Sequence, residues 1–136
     1  MISLARRAEK QCIDALLSSP EILKIYGATG VFQGYVAPNT LESRKEYIYV
    51  KRISAVSLDR GCVDGTPTGK LRRVRLQVDV SDSDYVKMVE RSELVRSVLT
   101  KAFPPCIDGD TYGTAVNGQK VVNVSSIDVI LIESEV

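Results

Sequence analysis

The feature that most constrains this sequence is a strict two-residue alternation over Lys70–Val80. Val74, Leu76, Val78 and Val80 fall on one side and Arg73, Arg75, Gln77 and Asp79 on the other, the period of a strand with one buried and one solvated face. Such a strand belongs to a sheet packed on one side, so the rest of the chain must supply neighbouring strands and an amphipathic layer. Glu46–Ser54 supplies the first neighbour. It is dense in β-branched and aromatic residues, with Ile48 and Val50 on one face and Tyr47, Tyr49 and Lys51 on the other. The two strands are predicted to pair antiparallel. The segment between them, Ser57–Gly69, is far longer than a plain hairpin needs, which marks it as a candidate functional loop.

The covering layer is helical. From about Ser3 to Leu17, Ala5, Ala8, Cys12, Ala15 and Leu16 recur at three- and four-residue spacing, with charges largely between them. Ser18-Ser19-Pro20-Glu21 reads as a stop and restart, and Gly27 closes a short helix over Ile22, Leu23 and Tyr26. Ser81 with Asp84 resembles a capping box, predicting a long helix over Asp82–Phe103 that ends at Pro104-Pro105. Its apolar stripe is Tyr85, Met88, Val89, Val95, Leu99 and Ala102, widened by Val98.

Three further segments complete the outline. Val31–Val36 is a short strand followed by a loop at Ala37–Thr40, and Val121–Ile132 is a closing strand. The closing strand's apolar set shifts from Val122 and Val124 to Ile127, Val129 and Leu131, predicting a β-bulge or two segments at Ser125-Ser126. Pro104–Gln119 carries Asp108-Gly109-Asp110 and Asn117-Gly118 and reads as a loop or an irregular β-excursion. The expectation is one α+β domain over residues 1–136: a mostly antiparallel sheet of about four strands, with an N-terminal helix and a long helix packed on it. The strand–helix–strand stretch Lys70–Ile132 forms a crossover only if its two strands are parallel.

Composition narrows the chemistry. The 136 residues contain no His, so Ser-His, Cys-His and His-zinc arrangements cannot be built within the chain. Cys12, Cys62 and Cys106 are odd in number and lack Cys-x-x-Cys spacing, against both a zinc site and a secreted disulfide framework. Arg60 alone is a weak activator for Cys62, and Cys12 and Cys106 are expected to be buried or inert. Asp82-Ser83-Asp84 and Asp108-Gly109-Asp110 do not match a calcium loop, and Gly27-Ala28-Thr29-Gly30 lacks the ending of a phosphate loop. The expectation is therefore no enzyme, no cofactor and no metal. No apolar run approaches the roughly 20 residues of a membrane span, and no signal-peptide core follows Met1–Arg7.

The net charge of +1 hides a local asymmetry. Residues 44–75 hold nine basic and three acidic side chains, net +6, whereas residues 76–136 hold five basic and ten acidic, net −5. One reading is a self-complementary surface for head-to-tail assembly. A second is a small nucleic-acid-binding module using the basic hairpin 44–75, although near-zero net charge and the lack of a recognition-helix motif count against it. A third is a solvated hairpin whose charges protect a sheet edge. Tyr47 and Tyr49 are either interface anchors or residues lying under the N-terminal helix.

The run Tyr47-Ile48-Tyr49-Val50-Lys51-Arg52-Ile53-Ser54, the Thr66-Pro67-Thr68-Gly69 loop, then Leu71-Arg72-Arg73-Val74-Arg75-Leu76-Gln77-Val78-Asp79-Val80 and a helix bearing Leu94-Val95-Arg96-Ser97-Val98-Leu99 resembles the tail completion, or tail terminator, proteins of long-tailed bacteriophages and prophages. Glu46 stands where that pattern has Pro, and Ser81-Asp82 where it tends to carry an aromatic residue. The resemblance implies a non-enzymatic virion protein that forms a ring, commonly hexameric, at the head-proximal end of the tail. Such a ring stops tail-tube growth and joins the tail to the capsid connector. Its partners would be further copies of itself, the tail tube protein and the head-tail connector, with no membrane and no specific nucleic acid. It would be assembled in the host bacterial cytoplasm. On charge and exposure, Arg72, Arg73 and Arg75 with the acidic helix face around Glu90 and Glu93 are candidate contacts between neighbours, with Tyr47 and Tyr49 as candidate anchors. The loop carrying Asp59, Arg60, Asp64 and Lys70 is the candidate docking element for tube or connector.

Overall fold

The computed structural model describes residues 7–33, 46–57, 71–103, 107–117 and 120–134. Helices α1 (Ala8–Leu17) and α2 (Pro20–Tyr26) lead through a 3-10 turn at Ala28–Gly30 into β1 (Val31–Gln33). There follow β2 (Tyr47–Ser57), β3 (Leu71–Asp82), α3 (Tyr85–Ala102), β4 (Ile107–Asn117) and β5 (Lys120–Ser134). The strands form one sheet in the order β1-β2-β3-β5-β4. β1 runs parallel to β2, and the other neighbouring pairs are antiparallel. The fold is α+β, as the alternation of Lys70–Val80 requires.

The sheet has five strands, one more than the expected four. The addition is β4, drawn from the segment whose Asp-Gly-Asp and Asn-Gly signals leave it between loop and β-excursion. Its backbone groups on one side pair in a ladder to β5 running from Gly109↔Asp128 to Asn117↔Lys120, and that pairing overrides weak local propensity. β3 and β5 are antiparallel, so the Lys70–Ile132 stretch is not a crossover between them. α3 instead carries the chain over β5 to β4, which runs parallel to β3.

β5 has no bulge in its pairing with β3, which is in register from Leu71↔Ser134 to Asp82↔Asn123. The apolar set changes parity because Val122 and Val124 face the side of the sheet away from the helices, Val122 buried there, while the buried Ser125 takes an inward position and hydrogen-bonds Ser92 of α3, Oγ to Oγ at 2.7 Å. Ser126, facing the other way, donates to Asp79 Oδ1 at 2.8 Å. Register shifts fall elsewhere, at Arg52/Ser54 in β2 and Ile107/Gly109 in β4.

α3 begins three residues later than the sequence predicts. Ser81 and Asp82 remain in β3, both buried, and Asp84 is the cap, its Oδ1 accepting from Val86 N at 2.9 Å and Lys87 N at 3.3 Å. The buried stripe of α3 is Met88, Ser92, Val95 and Leu99, so Tyr85 and Ala102 lie off it and are exposed. α2 ends at Tyr26, and Gly27 after it has a φ of 69°, a conformation glycine adopts without strain. Cys12 is buried in the core.

The main core lies on one side of the sheet, with Tyr47, Ser81 and Val122 buried on the other. Ala8, Cys12 and Leu16 of α1, Ile22 and Tyr26 of α2 and Val95 and Leu99 of α3 close over Ile48, Val50, Val74, Leu76, Val78, Val80, Ile127, Val129 and Leu131. The opposite face is covered by no helix among the described residues.

Candidate functional site

The β2–β3 hairpin presents basic residues to both faces of the sheet, and the two sets meet different surroundings. Strand alternation places Arg72 on the helix side with Val74 and Leu76, directly opposite Glu133 of β5. Glu133 is fully buried. Its Oε1 accepts from Arg72 at 2.8 Å, and its Oε2 accepts from Ala8 N at 2.9 Å and from Arg52. Arg52 also donates twice to Glu9 Oε1, at 2.6 and 3.0 Å. Arg7, at the N-cap of α1, provides no side-chain cap, so Glu133 caps that helix from the far end of the chain. Burial works to raise the Glu133 carboxyl, but the Ala8 N–H, the Arg52 hydrogen bond and the charges of Arg52 and Arg72 outweigh it and hold the pKa below the usual value. This cluster clamps α1 to the sheet.

A second seam joins α2, β3 and α3. Arg91 pairs with Asp82 and with Glu46 at 3.1 Å, and its guanidinium lies 5.7 Å from the centre of the Tyr26 ring. Glu46 and Asp82 thus converge on one arginine. Asp82 also accepts from Asp84 N at 2.8 Å, which orients the cap of α3. Further along α3, Arg96 reaches Asp110 of β4 at 2.8 Å and Glu93 at 3.8 Å.

The open face is built differently. Lys51 pairs with Asp79 at 3.8 Å and lies 5.9 Å from the centre of the Tyr49 ring. Asp79 also accepts from Gln77 at 2.8 Å, and Arg75 pairs with Asp128 at 3.3 Å in an exposed position. Arg73 is exposed. Ser54, Val56, Arg73, Arg75 and Ile130 line a shallow hollow of about 220 Å³. Val56 and Ile132 expose 40% and 51% of their surface, far more than an inward strand residue would.

The structure thus divides the expected interface set. Arg73 and Arg75 share the open face, whereas Arg72 is on the helix side and committed to Glu133, so the three arginines do not form one patch. Glu90 and Glu93 are exposed on α3. Tyr49 is half-buried on the open face. Tyr47 is buried on the face opposite Ile48, its ring edge-to-face with Phe32 at 6.5 Å, so it neither lies under the N-terminal helix nor stands out as an anchor. The docking-loop residues Asp59, Arg60, Asp64 and Lys70, together with Cys62 and Cys106, lie outside the described residues. Among the described residues no group of His, Cys, Asp or Glu side chains is placed to hold a metal ion, and no helix is long and apolar enough to cross a membrane.

The clamp residues Arg52 and Glu133 are absent from the sequence-based site. The signal for Glu133 lies in the alternation itself, since the inward series Ile127, Val129, Leu131 continues to residue 133 just as Val74 continues back to Arg72. Two opposite charges at the ends of two inward series predict a buried pair. Comparison of the sequence with protein-family models and with curated proteins gives no match.

Proposed function

We propose that this chain is a structural subunit that assembles with copies of itself into a ring at the head-proximal end of a long bacteriophage tail. There it ends growth of the tail tube and joins the tail to the capsid connector. The observation that carries the reading is a partly open sheet face: the three helices among the described residues pack on one face, and one end of the other displays Val56, Ile132, Arg73 and Arg75 to solvent. Apolar residues rimmed by charge on a flat, regular surface are the makings of a protein–protein contact. The resemblance of residues 47–99 to tail terminator proteins selects the ring from among the assemblies such a face would serve.

The ion pairs weigh against a nucleic-acid module. Lys51, Arg52, Arg72 and Arg75 each have a carboxylate partner within the chain, so much of the basic charge of the hairpin is compensated internally. A phosphate-binding surface needs that charge outward and unspent. The test is functional. Purified protein added to tail tubes assembled without a terminator is expected to cap them at uniform length and let them join heads. Tubes that keep growing and never join heads, together with DNA binding that falls steeply with salt, would overturn the reading.

A further inference from the structure

Apart from Leu23 on α2, the large exposed apolar side chains among the described residues fall into two groups. Ile53, Val56 and Ile132 are exposed near Arg73 and Arg75, on or beside the open face. Tyr85, Val86 and Tyr112 are exposed on the other side of the molecule, at the shoulder between α3 and β4. There Val86, Glu90 and Glu93 follow one another at four- and three-residue spacing along the outer face of α3. Tyr112 adjoins them, donating to Asp110 at 3.3 Å and feeling the charge of Glu93. The molecule therefore carries two apolar patches: one borders on Arg73 and the Arg75–Asp128 pair, the other on Glu90, on Glu93 paired with Arg96, and on Lys87, so the surplus charge is basic at the first, through Arg73, and acidic at the second, through Glu90.

From this complementarity we infer that the two patches bind each other between copies. The basic-rimmed end of the open sheet face of one subunit docks on the acidic-rimmed α3–β4 shoulder of the next. The inference rests on the ring reading and gives it a contact. Because the surfaces differ, the contact is heterologous: each copy uses one patch to receive and the other to be received, the only kind of repeated contact that closes a ring of more than two subunits around a single axis. Apolar centres supply the burial, and the charged borders fix the direction and reject a face-to-face pairing of like patches. Arg72 takes no part, being turned to the helix side. The shoulder includes the first turn of α3, so the late start of that helix sets where the acidic surface begins.

The test uses the full chain and two charge-reversed variants. One is Arg73→Glu with Arg75→Glu, which makes both patches acidic; the other is Glu90→Arg with Glu93→Arg, which makes both basic. Native mass by light scattering is expected to show each variant weakened in self-association by about a hundredfold, since like charges then face each other across the contact. An equimolar mixture is expected to regain assemblies of wild-type size, with the two variants in equal amounts. This rescue separates a lost contact from a lost fold. Val86→Ser and Ile132→Ser, both at exposed sites, provide uncharged variants expected to weaken association in the same direction. Reversed variants that assemble alone as the wild type does, or a mixture that stays dissociated while both variants are folded, would overturn this contact. Neither result would touch the tube-capping test of the ring reading. A wild-type chain that remains monomeric at all concentrations while still capping tubes would also overturn it.

Discussion

Arg72 and Arg73 are neighbours in β3 and face opposite environments. Arg72 is turned to the helix side, where a fully buried carboxylate holds it together with Arg52 and the first amide of α1. Arg73 is turned to solvent on the open face, beside exposed apolar side chains. The helix side spends its charge internally, fixing where α1 sits; on the open face Lys51 and Arg75 also have carboxylate partners, and Arg73 is displayed at a surface that no helix among the described residues covers. One strand thus serves stability on one face and, on our reading, assembly on the other. A single step along the sequence changes the role of an arginine, so the summed charge of the hairpin is a poor guide to its function.

The largest effect that would sharpen this contrast is expected at Glu133. Glu133→Ala strands two arginines and the N–H of Ala8 at a buried site and is expected to cost about 3–5 kcal/mol in urea unfolding. A loss of less than about 1 kcal/mol would show that the clamp is dispensable. Glu133→Gln keeps the shape and removes the charge, with an expected loss of about 2 kcal/mol. It also isolates a pH effect. The folded pKa of Glu133 lies below its usual value of 4.5, so its contribution is complete above that pH and is lost as pH falls through the lower, folded pKa. Acid titration of stability is expected to fall less steeply below pH 4.5 in Glu133→Gln than in the wild type; identical acid limbs would contradict the clamp.

Smaller effects are expected where helix and sheet share neutral hydrogen bonds. Ser92→Ala and Ser125→Ala each break the buried hydroxyl pair and are expected to cost about 1 kcal/mol, while the double variant costs less than the two single losses added. Strict additivity in that cycle would mean the serines do not interact. Asp84→Ala is expected to cost about 1 kcal/mol by uncapping α3, and Ser81→Ala is not expected to act through the cap at all. If helix content falls on Ser81→Ala and holds on Asp84→Ala, the cap is misplaced.

The elements with a clean period were legible from sequence. β2, β3, α1, α2 and the body of α3 follow from apolar spacing, and so does the packing of the long helix on one face of the sheet. β4 was not, because Gly109, Gly113 and the Asp-Gly-Asp run argue for a turn and its strand character comes from pairing with β5, a non-local partner. The parity shift in β5 was visible but misread: a polar residue at an inward position looks like a bulge until its partner across the core, Ser92, is known. At the candidate site, the outward direction of Arg73 and Arg75 was legible from alternation alone. The inward direction of Arg72 lies one step back from Val74 in the same series. The edge-to-face contact of Tyr47 with Phe32 of β1 and the convergence of Glu46 and Asp82 on Arg91 of α3 are contacts that no local pattern contains.

The central claim is that the two faces of one hairpin divide stability from assembly, and its most direct test is a paired measurement on Arg72→Ala and Arg73→Ala. Unfolding free energy and native mass are read on the same samples. Arg72→Ala is expected to lose about 1–2 kcal/mol, reduced by the partial exposure of its side chain, and to keep the wild-type association. Arg73→Ala is expected to stay within about 0.5 kcal/mol of the wild type and to associate more weakly. Equal losses of stability with unchanged association, or the reverse assignment of the two effects, would contradict the account.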